Sequence, residues 1–97
     1  MKIKFIQPSD QELIDAHYFY EDQLIGLGYK FLHEFNQTIK LIIDHPNLWR
    51  KVGNRTRRAM LKRFPYFNLS IYEDEIIHIT CIAHQHRDPD YYSDKLI

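Results

Sequence analysis

Residues 58–84, RAMLKRFPYFNLSIYEDEIIHITCIAH, decide the fold, because along them apolar residues recur every second position. Ala59 and Leu61 alternate with Arg58, Met60 and Lys62. Phe67, Leu69 and Ile71 alternate with Tyr66, Asn68, Ser70 and Tyr72, and Ile77, Ile79, Cys81 and Ala83 alternate with His78, Thr80, Ile82 and His84. A period of two is that of a half-buried strand, so the stretch predicts three strands. The short acidic link Glu73-Asp74-Glu75 predicts a hairpin between the second and third, and Pro65 sits at a strand entry, where no ladder bond is lost.

Upstream the period is helical. Ser9 and Glu12 have the spacing of a capping box, and Leu13, Ala16, His17, Tyr20 and Leu24 follow at helical intervals up to Gly26. After the connector Gly26-Leu27-Gly28, the residues Phe31, Leu32, Phe35, Ile39, Ile42 and Ile43 mark a second amphipathic helix that Pro46 stops. Before the first helix, Lys2 to Ile6 alternate as a short strand with Ile3 and Phe5 inward. The order β-α-α-β-β-β predicts an α+β fold, with a helical hairpin on one face of a small, twisted, mainly antiparallel sheet. With Phe67, Leu69, Ile71, Ile77, Ile79 and Cys81 directed at the helices, the opposite face is expected to be open. It would present Arg58, Lys62, Tyr66, Tyr72, His78, Thr80 and His84, and a one-residue slip would exchange the two sets.

At 97 residues with 44% hydrophobic content, the chain is expected to form one domain, 1–97, and not a disordered segment. The single cysteine, Cys81, excludes a disulfide framework and points to a reducing cytoplasm. No apolar run approaches the roughly 18 residues of a membrane span. The formal net charge is zero, but it is unevenly spread. Residues 1–44 carry 7 acidic and 4 basic groups, residues 45–72 carry 7 basic and no acidic groups, and residues 73–97 carry 6 acidic and 2 basic groups. The central block is Arg50, Lys51, Arg55, Arg57, Arg58, Lys62 and Arg63, which suits either a solvated face or contact with a polyanion.

Cations beside Tyr and His on a sheet suit single-stranded nucleic acid, where phosphates are neutralised and bases stack for about 1–3 kcal/mol each. The same groups suit metal-free RNA cleavage, with His84 as base or acid and Arg58, Lys62 and Arg87 stabilising charge at the phosphate. Arg55, Arg57, Arg63, Tyr66, Tyr72 and Tyr91 are the candidate nucleic-acid or target-binding residues. Tyr66 and Tyr72 equally suit plain sheet packing, and Arg55 and Arg57 a solvated edge. His84-Gln85-His86 places two imidazoles on one side of a strand, but no further ligand has suitable spacing, so neither metal nor cofactor is expected.

The order of short motifs resembles the ParE branch of the RelE/ParE toxin superfamily, the plasmid stabilisation proteins. In the C-terminal half these are Arg57-Arg58, Phe64-Pro65-Tyr66, Tyr72 and the run Ile82-Ala83-His84-Gln85-His86-Arg87-Asp88-Pro89-Asp90-Tyr91-Tyr92. In the N-terminal half they are Tyr18-Phe19-Tyr20, Gly26-Leu27-Gly28-Tyr29-Lys30-Phe31 and Ile42-Ile43-Asp44-His45-Pro46. The tail departs from the family pattern of Tyr-Trp followed by Arg, having Tyr91-Tyr92-Ser93-Asp94-Lys95 instead, and Lys95 lacks the guanidinium fork.

The resemblance implies two helices on a small antiparallel sheet and a toxin neutralised by a cognate antitoxin. It also implies one of two actions: binding and poisoning DNA gyrase, as in members similar to ParE, or ribosome-dependent cleavage of mRNA without metal, as in members similar to RelE. A relative that retains only antitoxin binding is the third reading. Whether the chain is an enzyme stays open at this point, since fold kinship does not decide chemistry.

Overall fold

A computed structural model describes residues 2–97. The elements are β1 (Lys2–Phe5), α1 (Ser9–Gln23), α2 (Leu27–Asp44), β2 (Arg50–Lys51), β3 (Thr56–Met60), β4 (Tyr66–Glu73) and β5 (Ile76–His84), followed by two 3-10 turns, Pro89–Tyr91 and Ser93–Lys95. The five strands form one sheet in the order β1-β5-β4-β3-β2. Pairing is antiparallel except between β1 and β5, which run parallel. The expected α+β architecture is present, with the two-residue strand β2 added at one edge. Among the described residues no helix is long and apolar enough to cross a membrane.

The helical hairpin is closed by one carboxylate. Glu21, near the end of α1, accepts hydrogen bonds from Gly26 N at 2.8 Å and Gly28 N at 3.0 Å, so it satisfies two amides at the start of α2. Gly26 adopts φ 91°, the left-handed turn for which glycine is suited. Gly28 lets the helices meet closely, because a Cβ there would lie 2.5 Å from His17 O. The capping box, in contrast, does not form. Ser9 Oγ donates instead to Ile79 O at 2.8 Å, and Glu12 reaches across to β5 and the tail. Leu24 lies outside the core, largely exposed.

At the β4–β5 turn Asp74 (φ 55°) and Glu75 (φ 60°) are both left-handed, the conformation of a two-residue hairpin loop whose twist matches the strands. Beyond it the facing of the strands departs from expectation. Thr80 is an extra residue in β5, since Leu69 pairs with Cys81 and the next residue, Ser70, pairs with Ile79. Such a bulge reverses which residues face which side. Ile77 and Ile79 face the helices as expected, but past the bulge it is Ile82 that does so, joining Ala59 and Leu61 in the core with Phe31, Phe35 and Ile42. Phe67, Leu69, Cys81 and Ala83 lie on the other face in a second core.

That second face is covered and not open. Tyr92 packs on Phe67 with ring centroids 5.2 Å apart, and Leu96 and Val52 complete the cover. The backbone of the tail is tied down as well, since Arg55 N and Thr56 N both donate to Ile97 O, at 2.8 and 2.9 Å. Tyr66 turns toward the helices, where it joins Tyr20, Phe31 and Phe64 in an aromatic cluster with centroid separations of 4.8–5.8 Å. Aromatic pairs in stacked or edge-to-face geometry add about 0.5–1.5 kcal/mol each beyond burial, and these four rings bind α1, α2, β4 and the β3–β4 connection into one unit.

Candidate functional site

Where α1 crosses the end of β5, a cleft of about 300 Å³ opens between the helix and the tail. Glu12 and Asp15 come from α1, Tyr66 from β4, His84 from β5, and Arg87 and Tyr91 from the segment that follows. The one-residue bulge at Thr80 puts His84 here, because it turns His84 to the side of Tyr66, with the two rings edge to face at 5.5 Å.

The polar groups of the cleft are held by hydrogen bonds and ring contacts. The Tyr91 hydroxyl donates to Glu12 Oε2, and Glu12 Oε1 accepts from Ile82 N at 2.9 Å. The hydrogen bond to Glu12, reinforced by burial, pushes the Tyr91 phenol up to about 12. Burial also raises Tyr66, with Arg87 opposing the shift. Both phenols are therefore neutral donors at pH 7. His84 Nδ1 accepts from His86 N at 3.1 Å, so in the neutral imidazole Nε2 carries the proton and is the donor. Arg87 lies over the Tyr91 ring, 3.9 Å from its centroid. A cation, an imidazole N–H and two carboxylates thus share a small cleft. Such a mixture recognises a surface with charges of both signs better than a bare run of phosphates.

The remaining sequence candidates are spread over the molecule. His84, Arg87, Tyr66 and Tyr91 come together, whereas Arg58 lies on the opposite face of the sheet, paired with Leu69 and stacked 4.2 Å over Phe67. Arg58 and His84 therefore do not share a face, and the bulge is the reason. Lys62 and Arg63 lie in the β3–β4 connection against α2. Arg55 is paired with Glu73, and Arg57 donates to Asn47 O and Trp49 O at 3.2 and 2.7 Å, so both act in holding loops. Tyr72 is partly exposed on the helix side, opposite Ile77. Glu12 and Asp15 were invisible to sequence reasoning as site residues, because Glu12 fits a capping box and Asp15 an ordinary exposed helix position. Among the described residues no three His, Cys, Asp or Glu side chains converge as a metal site would require.

No protein-family profile matches the sequence, and no curated protein sequence matches it. Solved structures do match. A chain of the chromosomal ParDE toxin–antitoxin (TA) system from P. aeruginosa superposes with TM-score 0.71 at 19% identity, covering 87% of this chain and 95% of that one. The isolated E. coli RelE toxin superposes with TM-score 0.65 at 11% identity, covering 97% of this chain and 94% of that one.

This is the RelE/ParE fold. The helical hairpin on a mainly antiparallel sheet follows the architecture that the sequence motifs suggested, while the edge strand β2 and the parallel β1–β5 pair are additions to it. Of the seven cations in the central block, Arg55, Arg57 and Arg58 are engaged by Glu73, two loop carbonyls and the Phe67 ring respectively.

Proposed function

We propose that this chain is the toxin of a type II toxin–antitoxin pair that acts in the ParE manner, by binding DNA gyrase, and that a cognate antitoxin holds it inactive. The separation of Arg58 from His84 onto opposite faces of the sheet carries this reading. Cleavage of RNA needs base, acid and charge-stabilising cations around one phosphate, whereas binding to a protein target makes no such demand. The cleft lined by Glu12, Asp15, His84 and Arg87 suits a protein surface of mixed sign. An acidic and apolar antitoxin segment would meet the exposed apolar groups of the helical hairpin, such as Tyr18 and Ile25, together with the cationic block.

Ribosome-dependent mRNA cleavage is the second reading, and it draws on His84 and Arg87 sharing the cleft with Tyr66 and Tyr91. Expression of the chain in a bacterium, with DNA supercoiling, the SOS response and transcript integrity followed together, tests both. Altered supercoiling and double-strand breaks with intact transcripts are expected. Transcript cuts without DNA damage would replace the gyrase reading with the ribonuclease one. If neither occurs but the product of the adjacent small gene binds, the chain is a relative that keeps only antitoxin binding.

A further inference from the structure

On the far side of the molecule from the tail, α2 and the β3–β4 connection enclose a groove of about 850 Å³. Four basic side chains line it: Lys30 and His33, one turn apart on α2, and Lys62 and Arg63, adjacent in the connection. One carboxylate, Glu34, lies beneath them, nearly buried, where its Oε2 accepts from Arg63 N at 2.9 Å and Phe64 N at 3.2 Å. Glu34 thus fixes the connection against the helix. Phe64 adds rigidity through edge contacts with Tyr20 and Phe31, and Leu61 N donates to Tyr66 O at 2.9 Å across the neck of the connection. Among the described residues the one ion pair is Arg55–Glu73, so none of the four bases is paired with a carboxylate.

From this we infer that the groove is a binding site for a compact polyphosphate, the di- or triphosphate chain of a nucleotide or an inorganic polyphosphate. Three permanent cations and an imidazole converge on one concavity, held on a frame already ordered before any ligand arrives. A triphosphate concentrates several negative charges within a few ångströms, which matches bases one helical turn and one residue apart. An acidic peptide spreads its charges by about 3.3 Å per residue and ordinarily adds apolar anchors. The volume lies within the range of small-ligand sites, roughly 300–1,000 Å³. Tyr29, exposed at the rim beside Lys30, offers a face on which a base can stack. The site is separate from the cleft at His84 and does not depend on the target of the toxin.

Calorimetric titration of the purified chain with inorganic triphosphate and with ATP, at low salt, tests the inference. Saturable binding of both is expected, weakened about tenfold by Lys62→Ala and by Arg63→Ala and unchanged by Arg50→Ala, whose cation lies on β2. Melting curves of each variant confirm that the fold persists. Equal affinity for the two ligands identifies a site for the phosphate chain alone, whereas tighter ATP binding that Tyr29→Ala abolishes identifies a nucleotide site. Either result supports the inference. It is overturned if neither ligand saturates at millimolar concentration, if Arg50→Ala weakens binding as much as Lys62→Ala does, or if hexaglutamate displaces triphosphate at equal concentration.

Discussion

The phenol of Tyr91 donates to the carboxylate of Glu12, joining the tail to the first turns of α1. The other Glu12 oxygen holds Ile82 N at 2.9 Å, just beyond the bulge in β5. One side chain therefore fixes three elements. Glu12→Ala would leave the Ile82 amide and the tail without their partner and should cost about 1–3 kcal/mol, whereas Tyr91→Phe, which removes only the tail contact, should cost less than half as much. Urea unfolding of the two variants checks the order; equal losses would show that the Ile82 bond carries nothing.

Alkaline stability follows from the same contact and from Cys81. Burial pushes the Cys81 thiol up to about 12 from 9.0, and the Tyr91 phenol stands at about 12 against 10.0. For both groups the folded state keeps a proton that the unfolded chain gives up. Their contribution is therefore complete below pH 9 and is lost as pH rises from 9 toward 12. Melting temperature should fall over this interval, and Cys81→Ala combined with Tyr91→Phe should flatten the fall. At pH 8 the native thiol should react with a disulfide reagent only as fast as the protein opens, with the rate rising sharply in urea.

At the β4–β5 turn Glu75 holds a left-handed conformation, φ 60°, that costs a side-chain-bearing residue about 1 kcal/mol. Glu75→Gly should stabilise the protein by a few tenths to 1 kcal/mol, since glycine's greater freedom in the unfolded chain offsets part of the gain. Thermal unfolding checks this, and a lower melting temperature would show that the Glu75 side chain contributes more than its backbone strain.

Asn68 is wholly buried on the helix-facing side of β4, between Ala59 and Ile82, and neither atom of its amide has a hydrogen-bond partner. An unsatisfied amide in a core costs about 1–3 kcal/mol. Asn68→Leu, which keeps the branching and heavy-atom count and removes the unpaired donor and acceptor, should raise stability by about 1 kcal/mol if the core takes its added methyl volume, read from the midpoint of denaturant unfolding.

Much of the architecture was legible because periodicity survives without knowledge of neighbours: Phe31, Phe35 and Ile42 mark one helix face, and β3 to β5 alternate as strands do. The facing of β4 was not. Phe67, Leu69 and Ile71 are its most apolar side chains, so alternation alone directs them at the helices, yet all three lie on the other face, Phe67 and Leu69 under Tyr92 and Leu96, while Asn68 and Ser70 face the helices. Two apolar faces cannot be told apart by hydrophobicity, and the bulge at Thr80 leaves no compositional mark. The candidate site shared this error. His84, Arg87, Tyr66 and Tyr91 do meet, but Arg58 was placed with them by an unbroken alternation that the chain does not keep. Glu12 was hidden by its fit to a helix cap, a local rule overridden by contacts 70 and 79 residues away.

The parallel pairing of β1 with β5, Lys2 opposite Ile76 through Phe5 opposite Ile79, has a bearing on synthesis. Translation delivers β1 well before β5, the one strand it pairs with among the described residues, so β1 waits unpaired while the helical hairpin and the β3–β4 pair assemble from local contacts. The Glu12 clasp waits as well, because Ile82 and Tyr91 emerge later still. An interrupted translation product that stops before residue 76 lacks both the sheet's closing strand and the cleft at His84. The strand order thus makes the cleft at His84 one of the last features of the fold to be completed.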